Sequence, residues 1–157
     1  MDKGEDEEMI IAIDFDGTCV THEYPYIGKD IGAVPVLKSW VERGHKLILW
    51  TMRSGRGFRP IEETAPIGSY LPWSKELREA VDWFYGNNIP LFGINENPEQ
   101  SWSQSPKAFA NLYIDDAALG IPLIRDLRIS DRPFVDWINV REMVRIIDAG
   151  CGLIGHM

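Results

Sequence analysis

The chain is poor in several things, and each shortage excludes a class of protein. Only two of its 157 residues are cysteines, Cys19 and Cys151, too few for a disulfide framework, so a reduced, cytoplasmic protein is expected. Basic charge is scarce: 16 Lys and Arg stand against 24 Asp and Glu, a net charge of −8. That balance argues against nucleic acid held on a broad basic face. No apolar run approaches the ~20 residues that cross a bilayer, so no membrane partner is expected. The opening residues are acidic where a secretory leader would be basic. Histidine is rare as well: His22, His45 and His156 lack zinc-ligand spacing, and each reads as an exposed or loosely packed residue.

What is present is an ordinary globular mixture, 45% hydrophobic and 25% charged, of a length that suits one domain. Residues 1–8 read as an acidic, disordered tail, 9–150 as a single domain with a loop insertion at 52–74, and 151–157 as a C-terminal tail. Met9-Ile10-Ile11-Ala12-Ile13 is a nearly continuous apolar run, as expected of a strand buried on both faces of a parallel sheet. Similar runs precede Thr51, Asn95 and Asp115. Between them, apolar stripes predict helices over 34–43 and 74–87, with a short helix near 107–110 and a last one over 140–148.

The alternation of strand and helix predicts an α/β fold, a Rossmann-like open parallel sheet with helices on both faces. In such sheets ligands sit beyond the carboxyl ends of the strands. The polar residues there are Asp14, Asp16, Thr51, Asn95, Asp115 and Asp116, which would gather at one rim. Four aspartates at close range repel unless a cation neutralises them. An oxygen-only donor set suits Mg²⁺, with Asp14, Asp16, Asp115 and Asp116 as candidate ligands.

Asp14-Phe15-Asp16-Gly17-Thr18 closing an apolar strand resembles the first motif of the haloacid dehalogenase (HAD) superfamily. Thr51 after Leu47-Ile48-Leu49-Trp50 is similar to the second. Lys107, followed by an apolar strand ending in Asp115-Asp116, is similar to the third and fourth. The resemblance covers roughly residues 9–120. It implies that Asp14 is the nucleophile, forming an aspartyl-phosphate, and that Asp16 is the general acid and base. Thr51 and Lys107 would hold the phosphate oxygens, with Gly17 and Thr18 beside them. Asp115 would complete the Mg²⁺ site, and Asp116 would bind directly, through water or from a second layer. An acid two residues after the nucleophile favours a phosphatase or phosphotransferase over a dehalogenase. The segments 19–33 and 96–106 are too short for a separate cap domain.

The expected function is therefore Mg²⁺-dependent phosphomonoester hydrolysis of a small phosphorylated metabolite or nucleotide. The alternatives are transfer to another acceptor, processing of nucleic-acid ends, or phospho-ligand binding without turnover; a homo-oligomer is left open. Arg53, two residues past Thr51, is expected to grip a substrate phosphate or carboxylate, with Arg56 and Arg59 behind it. Asn95 is a further candidate for substrate contact. The loop aromatics Tyr24, Tyr26, Phe58, Tyr70, Trp73 and Trp102 would either stack on a base or, more simply, fill space under the loops.

Overall fold

The computed structural model describes residues 7–57 and 73–154, with residues 150–154 described by their backbone only. Strands β1 (Ile10–Ile13), β2 (Lys46–Leu49), β3 (Gly93–Ile94) and β4 (Leu112–Ile114) form one sheet in the order β3-β2-β1-β4, every pair parallel. Ile13 is in register with Leu49 on one side and Ile114 on the other. Helices α1 (Ala33–Glu42) and α2 (Lys75–Gly86) follow β1 and β2, and α3 (Trp137–Ile154) ends the described chain. A small antiparallel pair, β5 (Leu123–Ile124) and β6 (Phe134–Val135), lies between β4 and α3. These two strands are too short to carry a sequence signal.

The helices obey their local chemistry. Ser74 caps α2, its hydroxyl accepting from the Leu77 amide at 3.1 Å. Helix α1 closes with Gly44 N–H on the Val41 carbonyl and His45 N–H on that of Trp40, which satisfies two end carbonyls. Helix α3 runs longer than the expected 140–148 and enters the segment read as a C-terminal tail. Phe92 and the residues before Gly93 lead into β3 without forming part of it.

All three helices pack on one face of the sheet, which differs from the expected two-sided arrangement. Ile11, Ile13, Leu47, Leu49 and Ile114 share one buried cluster with Leu37 and Trp40 of α1, Leu77 and Phe84 of α2, and Trp137 and Val140 of α3. Burying each such side chain contributes roughly 1.5–3 kcal/mol. The opposite face, with Ala12 and Ile48, is covered by Ala108 and Ala110. Those alanines lie in an irregular strap, not in the short helix expected near 107–110. Side chains hold the backbone groups that a helix would have paired. Gln100 Oε1 accepts from Phe109 N, Asn97 Nδ2 donates to Phe109 O, and the Tyr113 hydroxyl donates to Ala108 O. The strap starts so close to β3 that a Cβ at Gly93 would lie 2.2 Å from the Glu96 carbonyl oxygen. A strap needs only small residues to seal this face, so the strands read as two-sided although just one side carries helices.

Of the expected tail, residues 1–6 lie outside the described residues, while Glu8 pairs with Lys46 at 3.0 Å and Met9 is buried. Most of the 52–74 insertion, including Phe58, Arg59 and Tyr70, also lies outside them, as does His156. Among the described residues, no helix is long and apolar enough to cross a membrane.

Candidate functional site

The parallel ladder carries four strand ends to one rim. Asp14 N–H continues β1 onto the Ile114 carbonyl, Trp50 N–H continues β2 onto Ile13, and Asn95 N–H continues β3 onto Leu49. Asp14, Thr51, Asn95 and Asp115 consequently line one pocket of about 340 Å³. A second pocket, about 550 Å³, shares Asp14, Thr51 and Asp115 and is also lined by Asp116, Tyr24 and Arg132. The rim read from the sequence is a physical cavity.

Asp14, Asp115 and Asp116 each present a carboxylate oxygen, all within 4.8 Å of one another. Hard oxygen donors at this spacing, open to a pocket with room for water, fit a cation such as Mg²⁺. Burial pushes the Asp14 carboxyl from 3.8 up to about 8, and the Asp115 charge adds to it. The Thr18 hydroxyl and Phe15 amide pull it down. A nearby positive charge would therefore favour the ionised form of Asp14.

Two residues organise this cluster from behind. The Thr18 hydroxyl donates to Asp14 Oδ2 at 2.8 Å and accepts from the Asp116 amide at 3.0 Å, joining the β1 turn to the β4 turn. His22 Nε2 lies 2.7 Å from Asp116 Oδ2. His22 is partly buried, not loosely exposed as its sequence surroundings suggested, and it lines the larger pocket. His45 is likewise buried, its Nδ1 accepting from Met9 N–H at the opposite end of the strands. Gly17 makes the turn possible: its φ is +79°, and a Cβ there would lie 2.0 Å from His22 Nε2.

Several expected site residues are placed differently. Gly17 and Thr18 do not offer amides to a phosphate, because Gly17 N–H donates to Val20 O and Thr18 N–H to Phe15 O. Asp16 is turned away from the three-carboxylate cluster. Both of its oxygens accept from Arg53, Nε at 2.9 Å and Nη2 at 2.7 Å. Arg53 also donates to the Glu76 and Tyr26 carbonyls and stacks on the Phe15 and Tyr24 rings. At 2% exposure it is a structural guanidinium with its donors engaged, and it corrects the expectation of a substrate grip.

Asn95 lines the first pocket but spends its amide on the chain. Its Oδ1 accepts from Thr51 N–H, and its Nδ2 donates to the Arg53 and Gly55 carbonyls. It fixes the loop after β2, which includes the turn where Thr51 Oγ1 accepts from Arg53 N–H. Lys107 lines neither pocket; its Nζ sits 5.3 Å over the Tyr113 ring. Of the loop aromatics, Trp73 is core, whereas Tyr24, Tyr26 and Trp102 are exposed and Tyr24 faces the larger pocket. Cys19 is no nucleophile: burial, then the charges of Asp14 and Asp16, push its thiol well above the ordinary range. His22 and Arg132 were missed by the sequence reading, because both depend on contacts between distant segments.

A parallel α/β sheet whose central strand ends in a carboxylate cluster defines the class: an α/β protein with a candidate cation site at the carboxyl rim. Within that class, the chain is 33% identical to a conserved protein of Bacteroides thetaiotaomicron whose structure is solved, with a TM-score of 0.63. The match covers 88% of this chain and 90% of that one, and the chain belongs to the same family. No family model matches the chain, and no curated protein does.

Proposed function

We propose that the protein is a Mg²⁺-dependent phosphomonoester hydrolase working through Asp14, in the manner of the HAD phosphatases its motifs resemble. The observation that carries this reading is Asp14 itself: a carboxylate at the end of the central strand, in a pocket with Asp115, Asp116 and Thr51. Asp14, Asp115 and Asp116 would hold the cation, which supplies positive charge against both the carboxylates and the phosphate. The Thr18 hydroxyl fixes one Asp14 oxygen and leaves the other to attack phosphorus as the ester P–O bond breaks and the alcohol departs, forming an aspartyl-phosphate that water then hydrolyses to inorganic phosphate. Thr51 lines the same pocket, and its hydroxyl would donate to a non-bridging oxygen.

Proton transfer to the leaving group needs an acid with an accessible oxygen. Asp16 takes that role in the resemblance, and it would have to exchange one Arg53 contact for substrate. The same clamp favours a second reading, phospho-ligand binding without turnover, since both Asp16 oxygens are already occupied.

The test is hydrolysis of p-nitrophenyl phosphate with Mg²⁺ and with EDTA, by wild type and Asp14→Asn. Turnover that needs Mg²⁺ and vanishes in Asp14→Asn supports the hydrolase. An inactive wild type that still traps beryllofluoride on Asp14 supports the binding module, and failure of both ends the phosphoryl reading.

A further inference from the structure

The larger pocket is too big for a phosphate alone. Its volume of about 550 Å³ falls within the ~300–1,000 Å³ of small-molecule sites. Besides the carboxylate cluster it is lined by Tyr24, Met52 and Arg132. Among the described residues two guanidinium groups line it, and they differ in availability. Arg53 is buried and committed to Asp16 and two carbonyls. The Arg132 side chain is exposed and makes no ion pair or side-chain hydrogen bond with any described residue.

Arg132 is also held in place. Its amide donates to Ser130 Oγ at 3.2 Å, fixing the turn before β6. Just beyond it, Val135 N–H donates to the Gly17 carbonyl and Trp137 Nε1 donates to that of Thr18, at 3.0 and 2.7 Å. These two bonds fasten the segment to the turn that carries Asp14. An arginine anchored to the turn that carries Asp14, facing the cavity and without a side-chain partner among the described residues, has the planar fork that takes carboxylate or phosphate oxygens in pairs.

We infer that Arg132 selects substrates carrying a second anionic group, a carboxylate or a further phosphate, in addition to the phosphomonoester bound beside Asp14. The inference rests on the phosphomonoester reading and adds the substrate class. Tyr24 and Met52 line the same pocket and would contact the carbon skeleton.

Calorimetric Kd values for matched probe pairs, with Ca²⁺ in place of Mg²⁺ so that the probes are bound without turnover, test it. One pair is 3-phosphoglycerate and glycerol 3-phosphate, which differ by a carboxylate in place of an alcohol. The other is fructose 1,6-bisphosphate and fructose 6-phosphate, which differ by a phosphate. Wild type is expected to prefer the doubly anionic member of at least one pair by about tenfold, and the responding pair names the second anion. Arg132→Ala should bring that ratio close to one, and Arg132→Glu should invert it, both with wild-type melting temperatures. Binding of all four probes without preference, or a preference that survives Arg132→Ala, overturns the inference and leaves the phosphomonoester reading intact. Binding of none of them overturns both.

Discussion

Arg53 closes on Asp16 through two parallel hydrogen bonds across 37 positions of sequence, with its remaining donors on the Tyr26 and Glu76 carbonyls. One side chain thereby ties the turn after β1, the loop that follows it, and the start of α2. The pair is almost wholly shielded, its side chains 1% and 17% exposed. Removing one member of such a pair strands the other, which costs more than the pair itself contributes. Arg53→Met is expected to lose about 3 kcal/mol or more in urea denaturation. Arg53→Lys should recover little, since one ammonium cannot span four acceptors in three directions. The double variant Arg53→Met/Asp16→Leu should be more stable than Arg53→Met alone. A loss below ~1 kcal/mol for Arg53→Met would show that the pair does not hold these segments.

The rim was legible because strand ends follow from apolar runs, and runs are local. Asp14, Thr51, Asn95 and Asp115 each close such a run, and all four line one pocket. The sidedness of the sheet was not legible. A continuous run such as Ile11-Ala12-Ile13 is buried on both faces whether a helix or a strap covers it. Arg53 shows the second limit. Its place two residues past Thr51 put it correctly at the rim, but nothing local reveals that Asp16 and two carbonyls claim its donors. His22 and Arg132 show the third, because their importance comes from Asp116 and from the docking of β6, both far away in sequence.

Gly17 and His22 should behave as a coupled pair. Any side chain at position 17 meets both a φ of +79° and the His22 ring at 2.0 Å. Gly17→Ala is expected to cost about 1–3 kcal/mol from the backbone alone, and more from the displaced ring. Because that ring contacts Asp116, Mg²⁺ affinity should also fall, by roughly 10–100-fold. His22→Ala in the Gly17→Ala background should be far less damaging than in wild type, since the ring is already displaced and its removal relieves the clash. Strict additivity in chemical denaturation would mean that the two residues do not meet.

Asn95 separates backbone geometry from hydrogen bonding. Its φ is +53°, in the left-handed region, and its amide makes three bonds to the loop after β2. Asn95→Gly keeps the conformation and loses the bonds, for an expected cost of about 2–3 kcal/mol. Asn95→Ala loses the bonds and adds backbone strain of ~1 kcal/mol or more. Both should raise hydrogen exchange at the Thr51 amide, which Asn95 covers. Unchanged protection at Thr51 in Asn95→Gly would refute the clamp.

Asp14 gives the protein a pH dependence that a divalent cation should reverse. Its carboxyl is pushed from 3.8 to about 8 by burial, then by the Asp115 charge. Between those values the folded state keeps a proton that the unfolded chain has released, so this group makes stability fall as pH rises from about 4 to about 8. In EDTA, melting temperature should drop across that window more steeply for wild type than for Asp14→Asn, which has no proton to lose. Mg²⁺ bound at the carboxylate cluster would compete with the proton for Asp14, so its stabilising effect should grow with pH, being small near pH 6 and large above pH 8. At a hundred times Kd that effect is ~2.7 kcal/mol. Parallel profiles for wild type and Asp14→Asn in EDTA would place the ionised Asp14 in a far better solvated setting than its burial implies. A Mg²⁺ effect that ignores pH, or persists in Asp14→Asn, would put the cation elsewhere.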